Sequence, residues 1–122
     1  MQPTANFLAK GYGRDGMIAV DELVEYLHVN KTELAAAAGL PRDAVSKKSR
    51  LASLRTQRRL GEIVEIINRV IPWTGTVQAA FAWYRSQPLP SFGGLTAEDL
   101  VKAGRGEAVR AYLSRVAVGG YT

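Results

Sequence analysis

The residues best suited to chemistry in this chain are cations crowded into one short stretch. Residues 42–59 hold seven Lys and Arg against one Asp, a net charge of +6, whereas the whole chain of 122 residues carries +5. The seven cations are Arg42, Lys47, Lys48, Arg50, Arg55, Arg58 and Arg59. Positive charge concentrated in this way attracts polyanions, because each cation can neutralise a phosphate. The pattern therefore indicates nucleic-acid binding rather than catalysis.

Few side chains suited to catalysis or metal binding are present. The chain has no Cys and a single His, His28, which excludes thiol chemistry and disulfides and a His/Cys zinc site within one chain. Glu62 and Glu65 are interpreted as a solvated helix face rather than as an acid/base pair, because Arg58 and Arg69 lie four residues from them and predict i, i+4 ion pairs. We expect no enzyme activity, no metal and no cofactor.

The length fits one compact unit, or two small lobes that share a core. No apolar run approaches the roughly 20 residues that a membrane-spanning helix needs. The N-terminal stretch also lacks the apolar centre of a signal peptide. We therefore expect a cytoplasmic protein with no membrane partner.

Apolar residues follow the period of helices along most of the chain. Val20, Leu23, Val24 and Leu27 have the i, i+3, i+4, i+7 spacing of one helical face. Further helices are predicted over residues 32–38, from 41 to about 48, over 51–71, around 77–84, from 97 to 104 and over 107–116. No segment shows sustained strand-like alternation, so the predicted fold class is all-α.

Particular residues predict where these helices begin and end. Thr32 is the predicted N-cap of the alanine-rich helix and Gly39 its stop. Pro72 is predicted to end the long helix, because the residue before a proline avoids helical backbone. Thr96 and Asp99 have the spacing of a capping box.

Two short helices joined by Gly39-Leu40-Pro41 match a helix-turn-helix, whose second helix would lie in the major groove. The candidate DNA-binding residues are Arg42, Ser46, Lys47, Lys48 and Arg50. Arg and Lys can reach guanine edges, and Ser can bond to bases or phosphate. Arg55, Arg58 and Arg59 would hold phosphates alongside. One chain offers one such helix, so a homodimer on two-fold promoter DNA is expected. The alternative is a helical hairpin with a solvated basic face.

Short motifs in the second half of the chain follow one another in a distinctive order. They are Ala82-Trp83-Tyr84-Arg85 before Pro88, Gly93-Gly94-Leu95-Thr96 before Leu100, then Gly104, Val109, Leu113 and the closing Gly119-Gly120-Tyr121-Thr122. Together with the generic helix-turn-helix over residues 34–48, they resemble the Xre/MbcA/ParS antitoxins over roughly residues 18–122. The sequence departs from the family signature Gly-x-Thr-Pro-x-x-x-Leu at Ala97, where the family has proline.

The resemblance implies an antitoxin in which an Xre-like helix-turn-helix is followed by a small helical toxin-binding domain. The implied partner is a RES-domain toxin, a class similar to NAD-degrading ADP-ribosyl-type enzymes. The resemblance also implies that the protein represses its own operon. The candidate toxin-binding residues are Arg85, Phe92, Gly119, Gly120 and Tyr121.

This interpretation divides the chain into a flexible N-terminal arm (1–16), a DNA-binding region (17–54) and a toxin-binding and dimerisation domain (55–122). Two alternatives stay open: a stand-alone transcriptional regulator without a toxin, and an interaction module whose helix-turn-helix has lost DNA binding. The absence of a RES-like gene beside this one would favour the first alternative. The salt dependence of promoter binding distinguishes the second.

Overall fold

A computed structural model gives the fold of Phe7 and residues 11–119, with the backbone alone for residues 118 and 119. Among these residues the structure is helical apart from turns and two isolated β-bridges, Tyr12 with Ile18 and Leu89 with Leu95, so the predicted all-α class is confirmed. The helices are α1 (Val20–Leu27), α2 (Lys31–Ala38), α3 (Arg42–Ser46), α4 (Lys48–Leu51), α5 (Leu54–Thr74), α6 (Val77–Ser86), a 3-10 turn (Pro90–Phe92), α7 (Ala97–Lys102) and α8 (Gly106–Gly119).

The long helix α5 forms the centre of the core. Leu60, Ile63 and Ile67 are fully buried on it, because their i, i+3, i+7 spacing places them on one face. Helices α2, α4, α6, α7 and α8 all contact α5. This helix therefore fixes the position of the N-terminal helices relative to the C-terminal ones.

Side-chain caps fix the starts of α7 and α2. The Thr96 hydroxyl accepts a hydrogen bond from the Asp99 backbone N–H, and the Asp99 carboxylate accepts one from the Thr96 N–H, both at 3.0 Å. The predicted capping box is thus confirmed. Thr32 does not cap α2, contrary to the prediction. Asn30 does so, because its Oδ1 accepts from the Glu33 N–H at 2.8 Å, whereas Gly39 ends α2 as predicted, with φ 67°.

Protonating Asp99 should weaken the start of α7. The hydrogen bonds from the Thr96 backbone and side chain hold the pKa of the Asp99 carboxyl below its usual value. The Asp99 carboxylate therefore stabilises the fold above the unfolded-state pKa of about 3.9. This stabilisation is lost as pH falls through the lower folded-state pKa. We expect the unfolding free energies of wild type and Asp99→Asn, measured in urea between neutral and strongly acidic pH, to converge as pH falls. A constant difference would contradict this account.

Pro72 does not end the long helix, contrary to the prediction. Helix α5 continues to Thr74 and stops at Gly75, whose φ of 93° lies in the left-handed region. Pro72 lacks only the N–H that would bond to the preceding turn. The following turn is retained by the hydrogen bond from the Gly75 N–H to the Ile71 carbonyl at 2.7 Å.

Residues 11–19 close a turn against the core. The Ala19 N–H donates to the Gly11 carbonyl at 2.9 Å, and Phe7 is buried. A Cβ on Gly11 would lie 3.1 Å from a methyl group of Val64, so this backbone approaches α5 closely. Within the predicted flexible arm, Gly11 is therefore packed against α5, whereas Arg14, Asp15 and Gly16 are exposed. The rest of that arm, residues 1–6 and 8–10, lies outside the described residues.

The N-terminal and C-terminal helices share one core. The buried residues of both halves form a single cluster. The Tyr84 hydroxyl on α6 donates to the Ala37 carbonyl on α2 at 2.8 Å. Arg59 on α5 donates to the neighbouring Ala38 carbonyl at 2.7 Å. These bonds satisfy carbonyls that the end of a helix leaves without intrahelical partners.

Candidate nucleic-acid interface

Helices α2 and α3 are joined by the short turn 39–41. Gly39 takes the left-handed backbone that glycine tolerates best, and the Leu40 N–H closes the turn on the Ala35 carbonyl at 2.9 Å. Ala44 and Val45 are buried, and α3 contacts α2. The opposite side of α3 is consequently left to the solvent.

The second helix of this pair is shorter than predicted. α3 ends at Ser46, and Lys47 has extended backbone (φ −107°, ψ 126°) before α4 begins. The Ser46 hydroxyl donates to the Arg42 carbonyl at 3.0 Å, a bond that competes with regular helix and bends it. The helix predicted to run to about Lys48 is therefore divided at Lys47.

All five side chains predicted to contact DNA are exposed: Arg42, Ser46, Lys47, Lys48 and Arg50. Lys48 and Arg50 form no ion pair with a described residue. Lys47 lies 3.5 Å from Asp43, and both side chains are more than half exposed, so this pair contributes little to stability. These cations are thus available to an external anion.

The three arginines on the first turns of α5 have different surroundings. Arg55 and Arg58 are exposed, as phosphate contacts must be. Arg59 is half-buried and occupied by the Ala38 carbonyl. Arg59 therefore contributes to the internal packing of α2 on α5, and its phosphate contact stays a prediction.

One of the two predicted ion pairs along α5 is formed. Arg69 and Glu65 lie 3.6 Å apart, as predicted. Glu62 turns to Arg110 on α8 instead of to Arg58, with a separation of 3.9 Å, and Arg110 also contacts Glu65 at 3.1 Å. The sequence could not show this, because Arg110 lies far from both glutamates along the chain.

The candidate toxin-binding residue Arg85 is bonded inside the fold. Its guanidinium donates to the Glu98 carboxylate at 2.6 Å, and Lys102 approaches the same carboxylate at 2.9 Å. The hydrogen bond to Glu98 raises the pKa of Arg85. Glu98, which sequence reasoning missed, is the buried acid that joins α6 to α7. Arg85 thus has a structural task, whatever else it contacts.

Phe92 lies half-buried in the loop before α7. Its ring packs edge-on against Tyr112, with centroids 5.9 Å apart, and Arg105 stands over it at 5.7 Å. Gly119 is the last residue of α8. Gly120 and Tyr121 lie outside the described residues. Within the candidate toxin-binding set, the structure therefore describes the side chains of Arg85 and Phe92 only.

An aromatic groove opens between the end of α6 and α8. It is lined by the half-buried rings of Trp73, Trp83 and Tyr112 and by the exposed Pro88 and Pro90. The aromatic residues of the second half do not share one environment. The structure divides them, because Phe81 and Tyr84 are buried whereas Trp73, Trp83 and Phe92 are half-buried.

Within the described part of the chain, no group of three or more His, Asp or Glu side chains is arranged to hold a metal ion. None of the described helices is both long and apolar enough to cross a membrane. His28 is exposed and ends α1 in the left-handed conformation, with φ 59°. Comparisons with protein-family models, curated proteins and solved structures found no match for this chain.

Proposed function

We propose that this chain is the antitoxin of a type II toxin–antitoxin pair. In this proposal a helix-turn-helix formed by α2 and α3 places α3 and α4 against promoter DNA, so that the protein represses its own operon. The C-terminal helices bind and neutralise a RES-domain, NAD-degrading toxin. The observation that carries the DNA-binding half is the row of exposed cations on α3 and α4, which have few partners within the protein.

The local geometry favours a DNA partner for these cations. Ala44 and Val45 anchor α3 in the core, so the exposed side chains project from a fixed base. The adjoining Arg55 and Arg58 extend the positive surface onto α5. Clustered Lys and Arg on neighbouring helices are the electrostatic footprint of a nucleic-acid-binding protein.

Support for the toxin partner comes from the resemblance of the second half to the antitoxin family. The half-buried aromatic groove between α6 and α8 is compatible with this proposal, because protein interfaces are enriched in Trp and Tyr. The predicted contact through Gly120 and Tyr121 would begin directly beyond α8. A glycine-containing tail can enter a cleft without side-chain clashes, and a Tyr ring offers an apolar anchor with a polar tip.

The DNA half is tested by fluorescence anisotropy with the duplex upstream of the gene, at several salt concentrations. Each neutralised phosphate should contribute a slope of about −0.9 to the plot of log K against log salt. We expect a slope of roughly −5 or steeper for a dimer with several phosphate contacts per chain. Weak binding with little salt dependence would favour the interaction module instead.

The toxin half is tested by co-expressing the chain with the product of the adjacent gene. We expect a stable complex in pull-down and restored growth of cells that make the toxin. Absence of a RES-like neighbour, together with specific promoter binding, would favour the stand-alone regulator. Failure to bind or neutralise a RES-like neighbour would refute the antitoxin proposal.

A further inference from the structure

The solvent face of α5 carries a symmetric pattern of charge. Arg55 and Arg58 lie five and two residues before Leu60, and Glu62 and Glu65 lie two and five residues after it. Because an α-helix turns about 100° per residue, all four residues lie within about 40° of the direction opposite Leu60. Leu60 itself is fully buried. The outer face therefore presents two cations and then two anions, arranged evenly about one position.

This arrangement is complementary to a second copy of itself. In a two-fold contact, residue i meets residue j and j meets i. Suppose that two α5 helices pack antiparallel and that the two-fold axis crosses α5 at the level of Leu60, on the opposite face. Arg58 then meets Glu62 of the other copy, and Arg55 meets Glu65. Symmetry doubles both contacts and gives four ion pairs. A parallel arrangement would instead set like charges against each other.

We propose that this α5 face, defined as Arg55, Arg58, Glu62 and Glu65, is a homodimer interface. The inference deepens the proposed function and rests on it for its biological meaning, because a second copy supplies the second recognition helix that a two-fold operator requires. The contact itself needs neither DNA nor toxin. It can therefore be tested separately.

Most of the α5 face lines a trough together with Tyr12 and with Glu107 and Arg110 of α8. Glu62 and Glu65 are both paired with Arg110, and Glu65 also with Arg69, yet the two glutamate side chains remain 22% and 40% exposed. Gly61 and Gly104 add no side chain of their own to this trough, although the Tyr12 hydroxyl lies close to Gly61. The cations at the other end are exposed and form no ion pair with a described residue.

An apolar residue lies beside the charged face. Leu54, at the start of α5, is 66% exposed. Exposed ion pairs alone contribute little to association, so burial of Leu54 would add the apolar component that a stable contact needs. DNA phosphate is the competing partner for Arg55 and Arg58, so in a dimer formed through α5 the DNA contacts are left to α3 and α4. The two glutamates would repel phosphate, so the face as a whole suits a protein of alternating charge better.

The test uses two complementary charge variants of the full chain, studied by sedimentation velocity without DNA. Arg55→Glu with Arg58→Glu makes the face wholly acidic, and Glu62→Arg with Glu65→Arg makes it wholly basic. We expect a wild-type dimer, a monomer for each variant alone, and a 1:1 dimer when the two variants are mixed. The mixture is decisive because restored pairing must occur between chains, not within one helix.

A wild-type monomer throughout the concentration range, dimers of either variant alone, or a mixture that stays monomeric would overturn the interface. Because Glu62 and Glu65 also contact Arg110, the basic variant could fold poorly, and circular dichroism is measured for each protein. Arg55→Ala with Arg58→Ala provides the second test, with an expected rise in the dimer Kd of roughly tenfold or more. An unchanged Kd would overturn the proposal, and Arg14→Ala with Arg115→Ala is the control with the same loss of charge.

The DNA assay separates failure of this interface from failure of the proposed function. Salt-dependent promoter binding by a protein that does not dimerise through α5 would refute the interface and support the DNA-binding role. A dimer that depends on α5 but does not bind the promoter would support the interface and refute the DNA-binding role.

Discussion

Replacing Tyr84 with alanine should remove a large share of the stability of the whole chain. The ring is fully buried and stacks against Phe81 with centroids 6.0 Å apart, while its hydroxyl bonds to the Ala37 carbonyl across the fold. Truncation of a buried aromatic side chain costs about 3–5 kcal/mol, against a total stability of about 5–15 kcal/mol for a domain. Urea unfolding followed by circular dichroism measures this loss.

Two further variants separate the ring from its hydroxyl. Tyr84→Phe keeps the packing but leaves the Ala37 carbonyl unpaired, for an expected cost of about 1–3 kcal/mol. Trp83→Ala changes a neighbouring, half-buried ring and should cost less than Tyr84→Ala. Because Tyr84 bridges α6 and α2, we expect one unfolding transition in every case. A separate transition for the N-terminal helices would show that the two halves fold independently.

Tyr84 should also make the fold sensitive to alkali. Burial raises the pKa of its phenol well above the ordinary value, and the nearby Glu98 carboxylate acts in the same direction. The neutral phenol therefore stabilises the fold fully below the unfolded-state pKa of about 10, and this contribution is lost as pH rises through the folded-state pKa. Tyr84→Phe has no phenol to ionise, so its stability should decline less between neutral and strongly alkaline pH than that of wild type.

Removing both Lys48 and Arg50 should sharply weaken promoter binding. Both side chains are exposed on α4, and α4 has no buried residue, so alanine should change the charge and leave the core intact. If each cation contacts DNA, we expect about a tenfold loss of affinity or more per residue. The salt slope should also become shallower by about 2 for each chain that binds.

The control for this double variant is Arg14→Ala with Arg115→Ala, which removes the same charge from exposed positions on other elements. A nonspecific effect of net charge would weaken DNA binding equally in both double variants. If the interface is local, only the loss of Lys48 and Arg50 weakens DNA binding. Equal losses would therefore argue against α4 as a contact surface. Circular dichroism should show unchanged helix content in both proteins.

The helices could be predicted largely because their signals are local. The spacing from Val20 to Leu27 matches α1 residue for residue, and the Thr96 capping box begins α7 as expected. Errors arose where two local rules competed. Asn30 and Thr32 are both suitable caps, and only hydrogen-bond geometry decides between them. A proline such as Pro72 usually stops a helix, yet here the helix continues to Thr74 before Gly75 ends it.

The candidate site was less predictable, because its properties depend on contacts between distant residues. Exposure of Arg42 and Ser46 follows from the apolar pattern of α3, since Ala44 and Val45 take the buried side, whereas Lys48 and Arg50 lie on the separate helix α4, which has no buried residue. Arg59 has the same charge and lies in the same basic stretch, yet it binds a carbonyl on α2. No sequence period indicates such a bond across 21 residues. The Glu98 contacts with Arg85 and Lys102 similarly require the packing of α6 on α7.

The bonds from Arg59 and Tyr84 to the end of α2 have a consequence for turnover of the protein. A protease that cuts within α5 or α6 would remove the supports of the N-terminal helices and of the C-terminal helices in one event. Under the proposed function, transcription of the operon would then resume at the moment when the toxin is released, so that new antitoxin is made as the old is destroyed.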